Sequence, residues 1–414
     1  MRKASLGLTV IFALLVAFSE SGHGHKRKDP YLIYRGDPAQ MTVLWQLDTF
    51  QTCTIRWGLT TDYSSGTASI EPHGDTQYEY TVTGLLPGTL YYYRVDGVGI
   101  GSFRTAPVDT ATSVKLLAYG DPQGPPDGYD ETCARMNDLF TRDPSFQTLA
   151  ICAGDRVEGD EEAEWETQYF SRAWKNIPYF LAHIPVAGPR GNHEKAGTIF
   201  RKYYPYPYVR DFYWSFDYGP VHIVVLDQFV SYALGSPQYD WLVSDLSASS
   251  KLWKIITFHK PGWSAGGMHE NDAKVQKYLQ PLCLQYGIDL LISGHNHYYA
   301  RADVRGVQHL TTGGAGAHVS KPVGGEYIVI SEGTPHHLEI DIRGREALVT
   351  ARRRDGSAIE TFTISHRASI SKITAGRPDA ARWPDHLRPG KCSPGGWDLH
   401  RSQPLCQWGV DGHG

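Results

Sequence analysis

Two histidines one residue apart, His295 and His297, follow the apolar run Ile288 to Ile292 in the stretch Ser293-Gly294-His295-Asn296-His297. Neutral imidazole nitrogen suits zinc, iron and similar first-row ions, so such a pair on a tight loop at a strand end can hold a metal. Alone, the pair fits two solvent-facing polar side chains equally well. The rest of the chain repeats the arrangement. Val114 to Tyr119 ends in Gly120-Asp121-Pro122-Gln123, and Thr148 to Ala153 ends in Gly154-Asp155-Arg156-Val157-Glu158. Ile184 to Ala187 leads into Arg190-Gly191-Asn192-His193-Glu194, and Trp253 to Phe258 delivers His259. In α/β sheets ligands gather outside the carboxyl ends of the strands, so these loops are expected on one rim.

The set is then Asp121, Asp155, Asn192, His259, His295 and His297: two carboxylates, an amide and three imidazoles, with no cysteine. Such donors suit zinc, iron or manganese rather than a structural thiolate zinc. Six ligands are too many for one ion and reasonable for two that share a carboxylate. Two adjacent ions can bind the attacking and departing oxygens of a phosphoryl group, and can activate a bridging water as nucleophile.

The elements that carry these loops read as two domains, which a length of 414 residues allows. Residues 30 to 107 are short β-branched and aromatic strands divided by turns, a β-sandwich of immunoglobulin-like size. From Val114 strands alternate with helices, the pattern of a layered α/β domain. Helices are expected over Tyr129 to Phe140, over the acidic stretch Glu161 to Ala173, and over Asn271 to Tyr286. Val221 to Leu226 is a strand without a strong motif, ending at Asp227. Thr311 to Ala317 is glycine-rich but opens no helix, so it reads as close backbone packing at the rim. Three antiparallel strands, His337 to Ile342, Ala347 to Arg352 and Ile359 to Ile364, close the domain. An irregular tail over 366–414 follows, rich in Pro, Gly, Arg and His.

Met1-Arg2-Lys3, the apolar segment Leu6 to Phe18 and the small residues after it have the form of a secretory signal peptide over 1–21. The apolar run is shorter than the ~20 residues a span needs, and no later stretch is long enough, so no membrane span is expected in the mature chain. The basic segment His23 to Lys28 reads as mobile. A formal net charge of −4 gives no nucleic-acid-binding face. Of six cysteines, Cys392 and Cys406 are expected to pair in the tail; Cys133 and Cys152 are either a second pair or buried thiols.

Gly120-Asp121, Gly154-Asp155, Gly191-Asn192-His193-Glu194, His259 and Gly294-His295-Asn296-His297 together resemble the five motifs of the calcineurin-like metallophosphoesterases. The preceding sandwich, with Tyr91-Tyr92-Tyr93-Arg94-Val95 and Ser102 to Pro107, and the Tyr298-Tyr299-Ala300-Arg301 after the last motif, are similar to the purple acid phosphatase branch. The resemblance implies a fibronectin-III-like domain over 30–107 and a four-layer α/β/β/α phosphoesterase domain over 113–365. It implies that Asp155 bridges two metal ions, that Asp121 and His297 hold the first, and that Asn192, His259 and His295 hold the second. His193 would contact the phosphate and protonate the leaving oxygen, and His269 would be a second substrate-facing histidine. The branch carries a colour-giving tyrosine where this chain has Glu158, and other superfamily members carry a histidine where it has Gln123. Glu158 and Gln123 are therefore candidate further ligands, and a colourless protein is expected.

These features imply a secreted phosphatase acting on small phosphate monoesters with two ions drawn from iron, zinc or manganese. A phosphodiesterase or nucleotide pyrophosphatase would use the same metals, because pocket shape rather than the metal motifs selects substrate. An inactive phosphatase-like interaction protein is the alternative of another class.

Overall fold

Successive apolar residues in Val221–Val225, Trp253–Thr257 and Leu290–Ser293 point alternately to two different cores. Ile223, Val225, Ile255, Leu290 and Ile292 enter one; Val224, Ile256 and Leu291 enter the other. A strand that is apolar on both sides must be covered on both faces. The structure, a computed structural model that describes residues 25–366, provides both covers. The three strands pair in parallel at the centre of a seven-stranded sheet, with Val307–Thr312 parallel beside them and antiparallel strands at the edges. Leu242, Leu246 and Leu282, from helices Pro237–Ala248 and Gln280–Tyr286, cover one face. The other face meets a six-stranded sheet through residues such as Leu116, Leu338 and Ile340.

In that second sheet Val186–Ala187, Leu149–Cys152 and Ser113–Tyr119 are parallel, and His336–Arg343, Glu346–Arg353 and Ala358–Ser365 continue it antiparallel. The last three are the strands expected from the sequence. Helix Pro126–Arg142 packs against helix Asn176–His183 and touches His336–Arg343, completing the four layers. The N-terminal part has two antiparallel sheets. One is Lys26–Ile33, Met41–Leu47 and Gln77–Val82; the other is Gly66–Ile70, Cys53–Gly58, Leu90–Val95 and Gly99–Arg104. Their shared core holds Trp45 stacked on Tyr78, with ring centroids 5.1 Å apart.

Three expectations are corrected. The basic segment read as mobile is, from Lys26 onward, a strand paired with Met41–Leu47. Lys28 is fully buried there because its ammonium meets Gln46 at 2.6 Å and Glu162 at 3.1 Å and lies 4.2 Å from the Tyr203 ring centroid. The acidic helix is only Glu162–Glu164, followed by the wide turn Trp165–Tyr169. Phe170 N–H bonds the Trp165 carbonyl, so a wider helical turn puts both rings in the aromatic core, where five residues of regular α-helix would separate them. The helix expected over Asn271 to Tyr286 opens the same way at Val275–Leu279 before Gln280–Tyr286, where Pro281 lacks the N–H that an α-turn would require.

Cys53, Cys133, Cys152 and Cys283 are buried free thiols, so Cys133 and Cys152 are not bridged. The expected signal peptide, the tail from 367 and the expected Cys392–Cys406 pair lie outside the described residues. Among the described residues no helix is long and apolar enough to cross a membrane.

Candidate metal centre

Three residues of the candidate set have left-handed backbones that L-residues seldom adopt: Asp121 (φ +56°), Asp155 (φ +51°) and His295 (φ +67°). Such strain, about 1–3 kcal/mol each, persists where the surroundings over-determine it, and it clusters at functional sites. The surroundings here are specific. His295 N–H donates to both Asp121 carboxylate oxygens at 2.9 Å, and His193 N–H donates to Asp155 Oδ1 at 2.9 Å. A Cβ at Gly294 would land on the Asp121 carboxylate and one at Gly191 on that of Asp155, so the two close approaches require glycine. The glycine-rich loop closes the rim as expected: the amides of Gly316 and Ala317 bond the Asp121 carbonyl.

The side chains converge. One ligand atom from each of Asp155, His259 and His295 lies within 4.8 Å of the others. His259 Nδ1 donates to the Ala153 carbonyl at 2.9 Å, and its Nε2 meets Asp155 Oδ2 at 3.0 Å and Asn192 Oδ1 at 3.1 Å. Burial lowers the pKa of that ring, but Asp155 and then Asp121 outweigh it and raise it to about 9, so Nε2 holds a proton at the place a metal ion would take. His297 Nδ1 is likewise engaged, with the His318 carbonyl, and its Nε2 lies 3.6 Å from Asp121 Oδ1. Gln123 is 2 % exposed, and its Oε1 is buried without a partner. Carboxylate, amide and imidazole acceptors oriented by bonds from behind are the donor set of a hard or borderline metal.

Electrostatics agree. Burial, then the neighbouring Asp155, pushes the Asp121 carboxyl well above the usual range despite His259. Burial also acts on Asp155, but His259 outweighs it and holds Asp155 at about 2. Burial, reinforced by His259 and His269, lowers His295 to about 2, and burial lowers His297 to about 4, so both rings are neutral as ligation demands. His193 lies at the mouth, with Nδ1 donating to the Glu158 carbonyl at 2.6 Å and Nε2 3.9 Å from Asp155 Oδ2. The Glu158 carboxylate is exposed on the rim, 3.8 Å from His193 Nδ1. The His269 ring stacks on that of His295, with centroids 4.0 Å apart and planes at 18°.

Two supports have no counterpart in the sequence reading. Glu194, fully buried, accepts the N–H groups of Asp155 (3.1 Å), Arg156 (2.5 Å) and Gly191 (2.5 Å), and so ties two metal-capable loops together. Arg190 forms a buried two-pronged pair with Asp227 at 3.1 and 3.0 Å, anchoring the Gly191 loop to the end of Val221–Val225. An acid closing the run Val221 to Leu226 was the available signal for Asp227.

The family model for calcineurin-like phosphoesterases matches residues 114–299, the segment that carries Asp121, Asp155, Asn192, His259, His295 and His297. The chain carries a calcineurin-like phosphoesterase domain. Its similarity to purple acid phosphatases supports the purple acid phosphatase-like branch. It is 25 % identical to purple acid phosphatase 15 of Arabidopsis thaliana over 366 residues, 78 % of this chain and 60 % of that protein. It is also 25 % identical to human acid phosphatase type 7, over 75 % of this chain and 82 % of the relative. The chain thus spans less than two thirds of the Arabidopsis relative's length. In fold, the phosphoesterase domain and its N-terminal sheets resemble a purple acid phosphatase from yellow lupin seeds, with TM-score 0.67, 17 % identity and coverage of 81 % and 74 %. They also resemble PhoD, with TM-score 0.65, 11 % identity and coverage of 84 % and 92 %.

Proposed function

We propose that the chain is a secreted, binuclear metal-dependent phosphoesterase that hydrolyses small phosphate monoesters. The carrying observation is the convergence of Asp155, His259, His295 and Asn192 on one point, with Asp121 and His297 beside it. Asn192, His259 and His295 would hold one ion, Asp121 and His297 the other, and Asp155 both. Gln123 and Glu158 are the candidates to complete the first set. When bound, such a pair supplies positive charge for the phosphoryl oxygens and lowers the pKa of a water. Iron, zinc and manganese all fit these donors.

The chain's own groups supply the rest. His193 has one ring nitrogen fixed by the Glu158 carbonyl, so its mobile proton resides on Nε2, at the mouth. A water adds to phosphorus as the P–O bond to the leaving group breaks, that proton passes to the departing oxygen, and the products are phosphate and an alcohol. His269, on the same side as His295, contacts the phosphate. Residues 113–365 form the catalytic unit and 30–107 a packing and positioning module; the signal-like residues 1–21 support export. Asp155→Asn and His193→Ala, each assayed on p-nitrophenyl phosphate after metal loading, are expected to abolish turnover. Unchanged rates in both would overturn the catalytic reading of these residues.

A further inference from the structure

His269 belongs to a glycine-bearing loop, Ser264-Ala265-Gly266-Gly267-Met268-His269-Glu270-Asn271, in which Gly266 and Gly267 have positive φ. Its side chain is exposed, and nothing within so permissive a segment would orient it. Yet its ring lies parallel on His295. The explanation lies on the other loop. Asn296, between the two metal-capable histidines, is fully buried, and its side chain makes two bonds outward. Its Oδ1 accepts the His269 N–H at 2.8 Å, and its Nδ2 donates to Ser264 Oγ at 3.0 Å. Ser264 in turn donates from both Oγ and N–H to Asn271 Oδ1, each at 2.7 Å, closing the loop on itself. The Ala265 carbonyl takes two further amides, from Val323 and Gly324.

We infer that Asn296 is a positioning residue: it clamps the Ser264 to Asn271 loop so that His269 is held over His295, facing the phosphate side of the site. One buried amide thereby couples the placement of His295 and His297 to that of His269, because all three ride on the same short loop contact. An apolar residue of similar size at 296 would leave the His269 N–H without its acceptor and Ser264 Oγ with Asn271 but without the Asn296 donor, and the permissive glycines would let the loop drift. The use of His269 rests on the phosphoesterase reading; its placement by Asn296 does not.

The test uses the full chain loaded with zinc, which is diamagnetic, and the variants Asn296→Leu, Ser264→Ala, His269→Ala and the double variant Asn296→Leu/His269→Ala. In NMR spectra, the His269 ring signals, assigned by their loss in His269→Ala, are expected to show the His295 ring-current shift in the unsubstituted chain. They should move toward free-histidine positions in Asn296→Leu and part-way in Ser264→Ala, with zinc content unchanged. Ring signals that stay put in both variants overturn the inference whatever the activity. On p-nitrophenyl phosphate, Asn296→Leu is expected to lower kcat/KM about as far as His269→Ala, roughly 100-fold for a group misplaced by an ångström, and the double variant no further. Multiplying losses in the double variant would also overturn it. Moved signals in a chain that hydrolyses no ester would uphold the positioning and refute the phosphoesterase reading alone.

Discussion

Replacing Glu194 by glutamine tests whether the metal-capable loops are held from behind. The carboxylate gives one oxygen to Asp155 N–H and Gly191 N–H and the other to Arg156 N–H. An amide offers one acceptor. With its oxygen toward Asp155 and Gly191, its NH2 faces the Arg156 N–H; reversed, two amides lose their partner. At least one buried donor is orphaned, at about 1–3 kcal/mol, and the remaining bonds lose their charge, at about 1 kcal/mol each. Part of this is offset, because burial and then Asp155 already raise the pKa of Glu194, so its ionised form is held at a cost. A net loss of about 3 kcal/mol is expected from urea unfolding of the zinc-loaded chain. Zinc affinity by chelator competition should fall about 10- to 100-fold, as for other groups that orient metal ligands. Stability within about 0.5 kcal/mol of the unsubstituted chain, the range of an ordinary surface change, together with unaltered affinity, would refute the reasoning.

Two further perturbations have defined outcomes. Burial lowers the pKa of His222, but hydrogen bonds to Asp217 (2.8 Å) and Asp245 (2.9 Å) outweigh it and raise the ring from 6.5 to about 9. The folded state thus favours the protonated ring by up to about 3 kcal/mol. That stability is complete below pH 6.5 and lost as pH rises through 9; urea unfolding across this window should show the fall, and His222→Gln should flatten it. Loaded with ferric iron, the chain should show no visible phenolate charge-transfer band because Glu158 stands at the tyrosine position; Glu158→Tyr should produce one in an absorbance spectrum.

The site was legible in outline because each ligand-bearing loop follows an apolar strand, and the parallel register of Val221–Val225, Trp253–Thr257 and Leu290–Ser293 brings such strand ends to one rim. Asp121, Asp155, Asn192, His259, His295 and His297 could be collected by residue type alone. Glu194, Asp227 and Asn296 could not. They act through backbone amides or a distant arginine, and such partners leave no spacing in the chain. The misread acidic helix has the same origin: Trp165 and Phe170 both enter a core assembled from distant residues such as Tyr203 and Tyr204, and that packing widened the turn. Lys28 was read as part of a mobile basic segment because Glu162, its partner, lies 134 residues away.

The most direct measurement is the rate on p-nitrophenyl phosphate relative to bis-p-nitrophenyl phosphate, taken across pH on protein loaded separately with zinc, manganese and iron. The predicted result is metal-dependent turnover with a clear preference for the monoester, absent in Asp155→Asn. A preference for the diester would contradict the monoesterase assignment and favour a phosphodiesterase on the same residues. No turnover with any of the three metals would contradict the proposed function itself.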